Sequence, residues 1–257
     1  LRIEALAPVP ERRADGTRLL RWFGDVGKTK NGHSVVLRLV YRDVVVFLGG
    51  DLNIPAEDHL LAHYTGLPVP PRTAVEEEEL VAAARRVFGA DVAKSCHHGS
   101  ADFREVFLRA IDAAVTVISS GDDEAHSHPR ADTLGAIGRY SRGARPLIFN
   151  TELARSAKEL VKNPQILRER LKELQKAIGE ATTDTKRASA QKDFEQEVDR
   201  LERSIAVYGM ISLRTDGRKI LLAQKLEKPR GNDKKWDLYS LEPGPDGRLR
   251  YQSKYAE

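Results

Sequence analysis

Four of the seven histidines in this 257-residue chain fall in two short loops, His97-His98-Gly99-Ser100 and His126-Ser127-His128-Pro129. A third loop, Gly49-Gly50-Asp51, adds a carboxylate. Neutral imidazole and carboxylate are the donors that hold Zn²⁺ or Mn²⁺ at about 2.0–2.2 Å. Alone, a Gly-Asp after a strand is a turn, and a single His is a surface or hydrogen-bonded residue. Asp51, His98 and His128 on successive strand ends form a constellation, and the constellation points to metal. A carboxylate can bridge two ions about 3.5–4 Å apart, the arrangement that yields hydroxide for phosphodiester cleavage. Gly99 gives the His97-His98 pair the freedom to aim at least one ring nitrogen into a cleft. The single cysteine, Cys96, excludes an internal disulfide and a Cys-based zinc finger. Beside a His pair it could bind metal, but a small buried thiol is the preferred reading.

The elements that must position these groups are legible as an alternation of strand, loop and helix. Residues 34–40 and 43–48 are β-branched runs joined by Tyr41-Arg42, a hairpin-like link, and the second run delivers Asp51. Pro55 opens a helix reaching about Tyr64, and residues 66–73 are a proline-rich loop. A helix over 76–88 has an acidic first turn, Arg85-Arg86 near its end and Gly89 as its stop. Residues 91–94 form a short strand that feeds the His97-His98 loop. A helix over 103–111, a strand over 114–119, a polar loop over 121–129, a helix over 130–140 and a strand over 146–150 follow. Loops beyond strand ends are where α/β proteins collect their sites.

From about Thr151 the pattern changes. Ser156-x-x-Glu159 has capping-box spacing, and Asn163-Pro164 looks like a cap and first helical position. Leu160, Leu167, Leu171, Leu174 and Ile178, then Phe194, Val198, Leu201 and Ile205, form two seams of coiled-coil period joined by residues 181–190. The expected object is an antiparallel helical hairpin, either a self-packed projection or, as preferred, an arm for a protein partner or self-association through residues 156–206. Beyond it, residues 208–214 and 219–224 flank the turn Thr215-Asp216-Gly217-Arg218, and strands at 236–241 and 248–251 close the chain. Three segments are therefore expected: 1–151, 152–206 and 207–257.

Formal charge is +4 overall, with −1 in residues 1–150 and +5 in residues 151–257. A basic later part suits a nucleic-acid partner, or simply a solvated surface. The longest apolar run, Val44–Leu48, is far too short to span a bilayer, so no membrane role is expected. No signal peptide is visible, and one cysteine suits a reducing, cytoplasmic setting. The chain opens at Leu1 inside a strand-like alternation, the pattern of a chain cut or processed from a longer one.

The motifs together carry a resemblance. Asn31 to Val40, Val45-Val46-Phe47-Leu48-Gly49-Gly50-Asp51-Leu52 with Glu57 and Leu60-Leu61, Ala90-Asp91-Val92-Ala93-Lys94, His97-His98-Gly99-Ser100, Val117-Ile118-Ser119-Ser120-Gly121 and His128-Pro129 resemble the metallo-β-lactamase-fold domain of ComEC-type DNA-uptake proteins. The resemblance covers roughly residues 1–150, and the 209–222 hairpin looks like that fold's closing strands. It implies an α/β, four-layer αβ/βα sandwich of which this chain is the later part, with the helical hairpin inserted. It also implies a centre of two divalent ions (Zn²⁺ or Mn²⁺) and hydrolysis of nucleic-acid phosphodiesters, DNA first. Asp51, His98 and His128 would be ligands, His97 a ligand or a group behind one, and Lys94 and Ser100 contacts to substrate phosphate. The family's His-x-His-x-Asp-His motif is absent from these residues and would come from an upstream segment or a second chain. The family's membrane channel is absent too, so DNA import is not implied. Two other expectations remain: an inactive scaffold recruiting a partner through the hairpin, and a hydrolase of small esters or lactones.

Overall fold

The computed structural model describes residues 1–120, 126–151, 164–206, 210–230 and 234–252. It is a mixed α/β fold that divides into two compact units. The first holds Leu1–Thr151, Ile211–Ala223 and the strand residues from Leu238 onward.

Its centre is a six-stranded mixed sheet, ordered β1 (Arg2–Ala7), β4 (Val36–Tyr41), β5 (Val44–Leu48), β6 (Val92–Lys94), β7 (Val115–Ile118) and β8 (Leu147–Asn150). β1, β4 and β5 pair antiparallel; β5 through β8 pair parallel. Between β1 and β4 the chain makes a separate ribbon, β2 (Pro10–Arg12) with β3 (Arg18–Leu20), and a short helix, α1 (Val26–Gly32). The β4–β5 link is Arg42-Asp43, one residue later than expected, because Tyr41 pairs with Val44 and Arg42 takes the left-handed turn conformation (φ 54°).

Each parallel step needs a crossover helix. These are α2 (Ile54–Thr65) and α3 (Ala74–Phe88) between β5 and β6, α4 (Glu105–Ile111) between β6 and β7, and α5 (Ala131–Tyr140) between β7 and β8. Because the strand order advances in one direction, right-handed crossovers place all four helices on one face. The caps are local: Asn53 accepts from Ala56 N–H, Thr73 from Glu76 N–H, and Gly66 ends α2 at φ 69°.

The strands alternate between two cores. Phe47, Ala93 and Val36 pack with Leu60, Leu61, Leu80, Phe88 and Phe107 under the helices. Val44, Val92, Val115 and Phe149 face the other way, onto Ile220, Leu222, Leu241 and Leu249. Those residues belong to a second sheet, β9 (Ile211–Thr215), β10 (Ile220–Arg230), β11 (Lys234–Pro243) and β12 (Leu249–Tyr251), ordered β12-β11-β10-β9. The first unit is thus helix on sheet on sheet.

A buried ion pair ties the parallel strands together. Arg142 donates to Asp91 Oδ1 and to the Ala90 carbonyl, each at 2.9 Å, while Asp91 Oδ2 accepts from Val45 N–H at 2.9 Å. Asp91→Ala would strand a buried guanidinium, and we expect a loss of about 3 kcal/mol in urea unfolding. The lower end of the usual range applies because Arg142 keeps the Ala90 carbonyl. The double replacement Asp91→Ala/Arg142→Met should cost less than the single one; an equal or larger cost would refute the stranded-charge account.

The second unit holds α6 (Pro164–Gly179) and α7 (Asp184–Ala206), which pack against each other, with residues 224–237. Leu174 is buried, and Leu171, Ile178, Phe194 and Val198 are half-buried along the seams. The joint is shorter than expected, because the polar residues 184–190 are helical. The capping box at Ser156 and Glu159, and Leu160, lie outside the described residues. Among the described residues no helix is long and apolar enough to cross a membrane.

Candidate metal centre

The parallel order β5-β6-β7 places the loops after all three strands at one edge of the sheet. Asp51, the His97-His98 turn and the segment before His128 follow those strands in that order. His97 N–H donates to the Gly50 carbonyl at 3.0 Å, and Arg130 N–H to the Gly99 carbonyl at 2.8 Å, so backbone bonds join neighbouring loops.

The His97-His98-Gly99 turn is left-handed throughout, at φ 43°, 52° and 79°. Histidine tolerates this region better than most residues, but two such residues in a row store strain of order 1–3 kcal/mol each. Such strain collects where side-chain direction matters. Gly99 is required twice over: besides its φ, an added Cβ would lie 2.7 Å from Pro129 Cβ.

The turn aims His98 at Asp51, with Nε2 3.2 Å from Oδ1. On the other side of the ring, Nδ1 sits 2.6 Å from the Ser119 carbonyl, which can only accept. The proton is therefore on Nδ1, and Nε2 meets the carboxylate either with its lone pair or as imidazolium. Two donors bonded to one ion at about 2.0–2.2 Å sit roughly 3–3.5 Å apart, so the pair fits a shared cation. A ring nitrogen fixed by a backbone carbonyl is also how metal-binding histidines are oriented. Lys94 Nζ lies 3.6 Å from Asp51 Oδ1 and donates to the Gly50 carbonyl at 2.8 Å.

His97 and His128 form a second pair, with ring centroids 5.5 Å apart. His97 Nε2 is 3.2 Å from the Asn31 amide, and its buried Nδ1 has no hydrogen-bond partner. A buried unsatisfied imidazole nitrogen costs about 1–3 kcal/mol, which a metal or substrate atom would repay. His126 stacks on His128 at 5.8 Å. Among the described residues no group of three or more His, Cys, Asp or Glu side chains is arranged to hold a metal ion. The candidate side chains instead stand as two pairs, Asp51 with His98 and His97 with His128.

Ser100 Oγ accepts from Asp102 N–H at 3.2 Å, and its carbonyl accepts from Thr133 Oγ1. Cys96 packs against the helix-side core, and burial first, then the nearby Glu57 carboxyl, pushes its thiol well above the ordinary value. It is a packing residue. Its sulfur fills the space an added Cβ on Gly49 would take, at 2.4 Å.

Three supporting groups lie within the segments of the resemblance but carry no role there. Ser34 Oγ accepts Asp51 N–H at 2.8 Å and fixes the loop; Asn31 and Ser119 hold His97 and His98. The Ser119 and Asn31 contacts could not be inferred from type, since a backbone carbonyl and a lone amide carry no signal in spacing. No protein-family model, curated protein or solved structure matches the chain. Function must therefore be argued from the site.

Proposed function

We propose that this chain is the later part of a metallo-β-lactamase-like hydrolase that cleaves nucleic-acid phosphodiesters, related to the ComEC-type nuclease domain. The observation that carries the reading is the Asp51–His98 convergence at 3.2 Å, with His98 locked from behind by the Ser119 carbonyl. The helix–sheet–sheet layering supports it too, as the later part of an αβ/βα sandwich would have that order. Asp51 and His98 would hold one divalent ion, and Asp51 would reach a second shared with His128 and His97. Remaining ligands would come from an upstream segment or a second chain. The ions, Zn²⁺ or Mn²⁺, would polarise the scissile phosphate and supply hydroxide near neutral pH. Lys94 lends positive charge beside Asp51, where phosphate oxygens gather charge during attack. Ser34 and Ser119 keep the two ligands in register.

The test uses the complete protein, stripped with chelator and reloaded with Mn²⁺ or Zn²⁺, on single- and double-stranded DNA, RNA and cyclic nucleotides. Cleavage that disappears on stripping and returns on reloading is expected. If the metal-loaded protein leaves all four intact, the reading is wrong. The missing three-ligand group among the described residues favours one alternative, an inactive scaffold working through the helical hairpin. Stoichiometric metal in the complete protein, by elemental analysis, would dismiss it.

A further inference from the structure

The β2–β3 ribbon buries none of its side chains: residues 10–22 are exposed without exception. A lone two-stranded ribbon is marginal in water, and this one is held chiefly at its ends. There Phe23 is buried, His59 reaches the Val9 carbonyl at 3.3 Å, and His33 reaches the Arg21 carbonyl at 2.8 Å.

Glu11 pairs with Arg21 at 3.1 Å across the ribbon, but its other charges do not support it. Arg12 and Arg18 are directly opposed across the ribbon, and like charges in that relation destabilise a strand pair. No acidic group among the described residues lies within 4 Å of Arg12, Arg18 or the adjacent Arg13. Two guanidiniums side by side with no carboxylate are a site for an external anion.

Behind the ribbon run two clefts. Arg12 and Arg18 line one of about 430 Å³ with His63 and Tyr64. Arg21 and Trp22 line another of about 520 Å³ with Ile54 and His59. His59 and His63 are one turn apart on α2, so the clefts follow each other along that helix. Its first residue, Ile54, comes three positions after Asp51. Trp22 is 60% exposed at the cleft nearer the site. The unpaired cations lie at the Arg12–Arg18 cleft, while at the Trp22 cleft Asp58 is neutralised by Arg104 and Arg21 by Glu11. Unpaired cations followed by an exposed aromatic ring along one track suit single-stranded nucleic acid, with phosphates on the first and a base stacked on the second.

We propose that the β2–β3 ribbon and these clefts bind single-stranded nucleic acid, with Arg12 and Arg18 on backbone phosphates and Trp22 on a base, leading the strand to the Asp51–His98 site. This rests on the hydrolase reading for its purpose, but not for its test.

Binding of fluorescein-labelled oligothymidylate to the complete protein is read by anisotropy in EDTA across a salt series, where no turnover occurs. Arg12→Glu/Arg18→Glu should weaken binding at least about tenfold, and Arg12→Gln/Arg18→Gln should lower the slope of log K against log salt by about 1.4, or 0.7 per phosphate. Trp22→Ala should weaken binding about five- to hundredfold with the slope unchanged. The charge-matched control Arg187→Glu/Lys192→Glu on α7 should leave it unchanged. Wild-type affinity in ribbon variants with native circular dichroism would overturn the proposal, as would an equal loss in the α7 control or equal affinity for a duplex of the same length. A protein that binds through the ribbon yet cleaves nothing when metal-loaded would sink the hydrolase reading and leave this one standing.

Discussion

Alanine at Asp51 or at His98 is expected to lower phosphodiester cleavage by the complete protein more than about 100-fold, the upper loss seen when only an outer partner of a metal ligand is removed. The fold should not follow the activity down. Both side chains are substantially exposed, at 39% and 43%, and belong to neither core. It is the Asp51 backbone, through its N–H to Ser34 Oγ, that ties the loop down. At Asp51 a surface substitution changes stability by about 0.5 kcal/mol or less, whereas His98→Ala also gives up the Ser119 bond in a left-handed turn and should cost about 1–2 kcal/mol; circular dichroism should stay near wild type for both. Asp51→Asn keeps shape and hydrogen bonding while removing charge, and should lose as much activity as alanine. Ser34→Ala touches only the positioning bond and should fall between, about 10- to 100-fold down. Retention of a tenth or more of wild-type cleavage by Asp51→Ala would remove it from the ligand set.

What could be read beforehand follows from how local each cause is. Pro55, the acidic first turn of α3 and Gly89 act within a single turn, so α2 and α3 are legible in the sequence to within two residues. The strands β5 to β7 are short apolar runs ending in polar loops, and that local contrast marked where Asp51 and His98 would emerge. The ribbon was missed because it buries nothing, and a segment with no buried face has no period to detect. The same holds for the charge reading. The excess expected in the later part hid three unpaired arginines near the start, because the ribbon's cations cancel against acids elsewhere in residues 1–150. The geometry of His97 and His98 was beyond reach for another reason. Their left-handed backbone is imposed by bonds to Gly50 and, through Gly99, Arg130, which are distant in sequence. The face toward Asp51 is therefore a tertiary outcome, although its residue types are local.

Glu57 should make the protein lose stability as pH rises through neutrality. It lies on the inner face of α2, 1% exposed, and its Oε2 accepts Arg104 N–H at 2.6 Å. Burial is the chief influence on its carboxyl, opposed by that N–H and reinforced by Asp102 and Asp58, and it raises the pKa to about 8. The Arg104 guanidinium does little to offset this, because it pairs through Nε and Nη2 with Asp58 at 2.7 Å. Below pH 4.5 the carboxyl is protonated whether the chain is folded or not, and contributes nothing to the pH dependence. Between there and about 8 the unfolded chain has released the proton and the folded one retains it. The folded state then binds more protons, so stability falls with rising pH by about 1.4 kcal/mol per unit. The total reaches on the order of 5 kcal/mol and levels off above the folded pKa. Glu57→Gln keeps an acceptor for Arg104 N–H and carries no charge to bury. Its urea midpoint should match wild type near pH 5 and exceed it clearly at pH 9. Parallel curves for the two proteins across that range would mean that Glu57 is ionised in the fold. The same carboxyl sits against Cys96, one residue before His97.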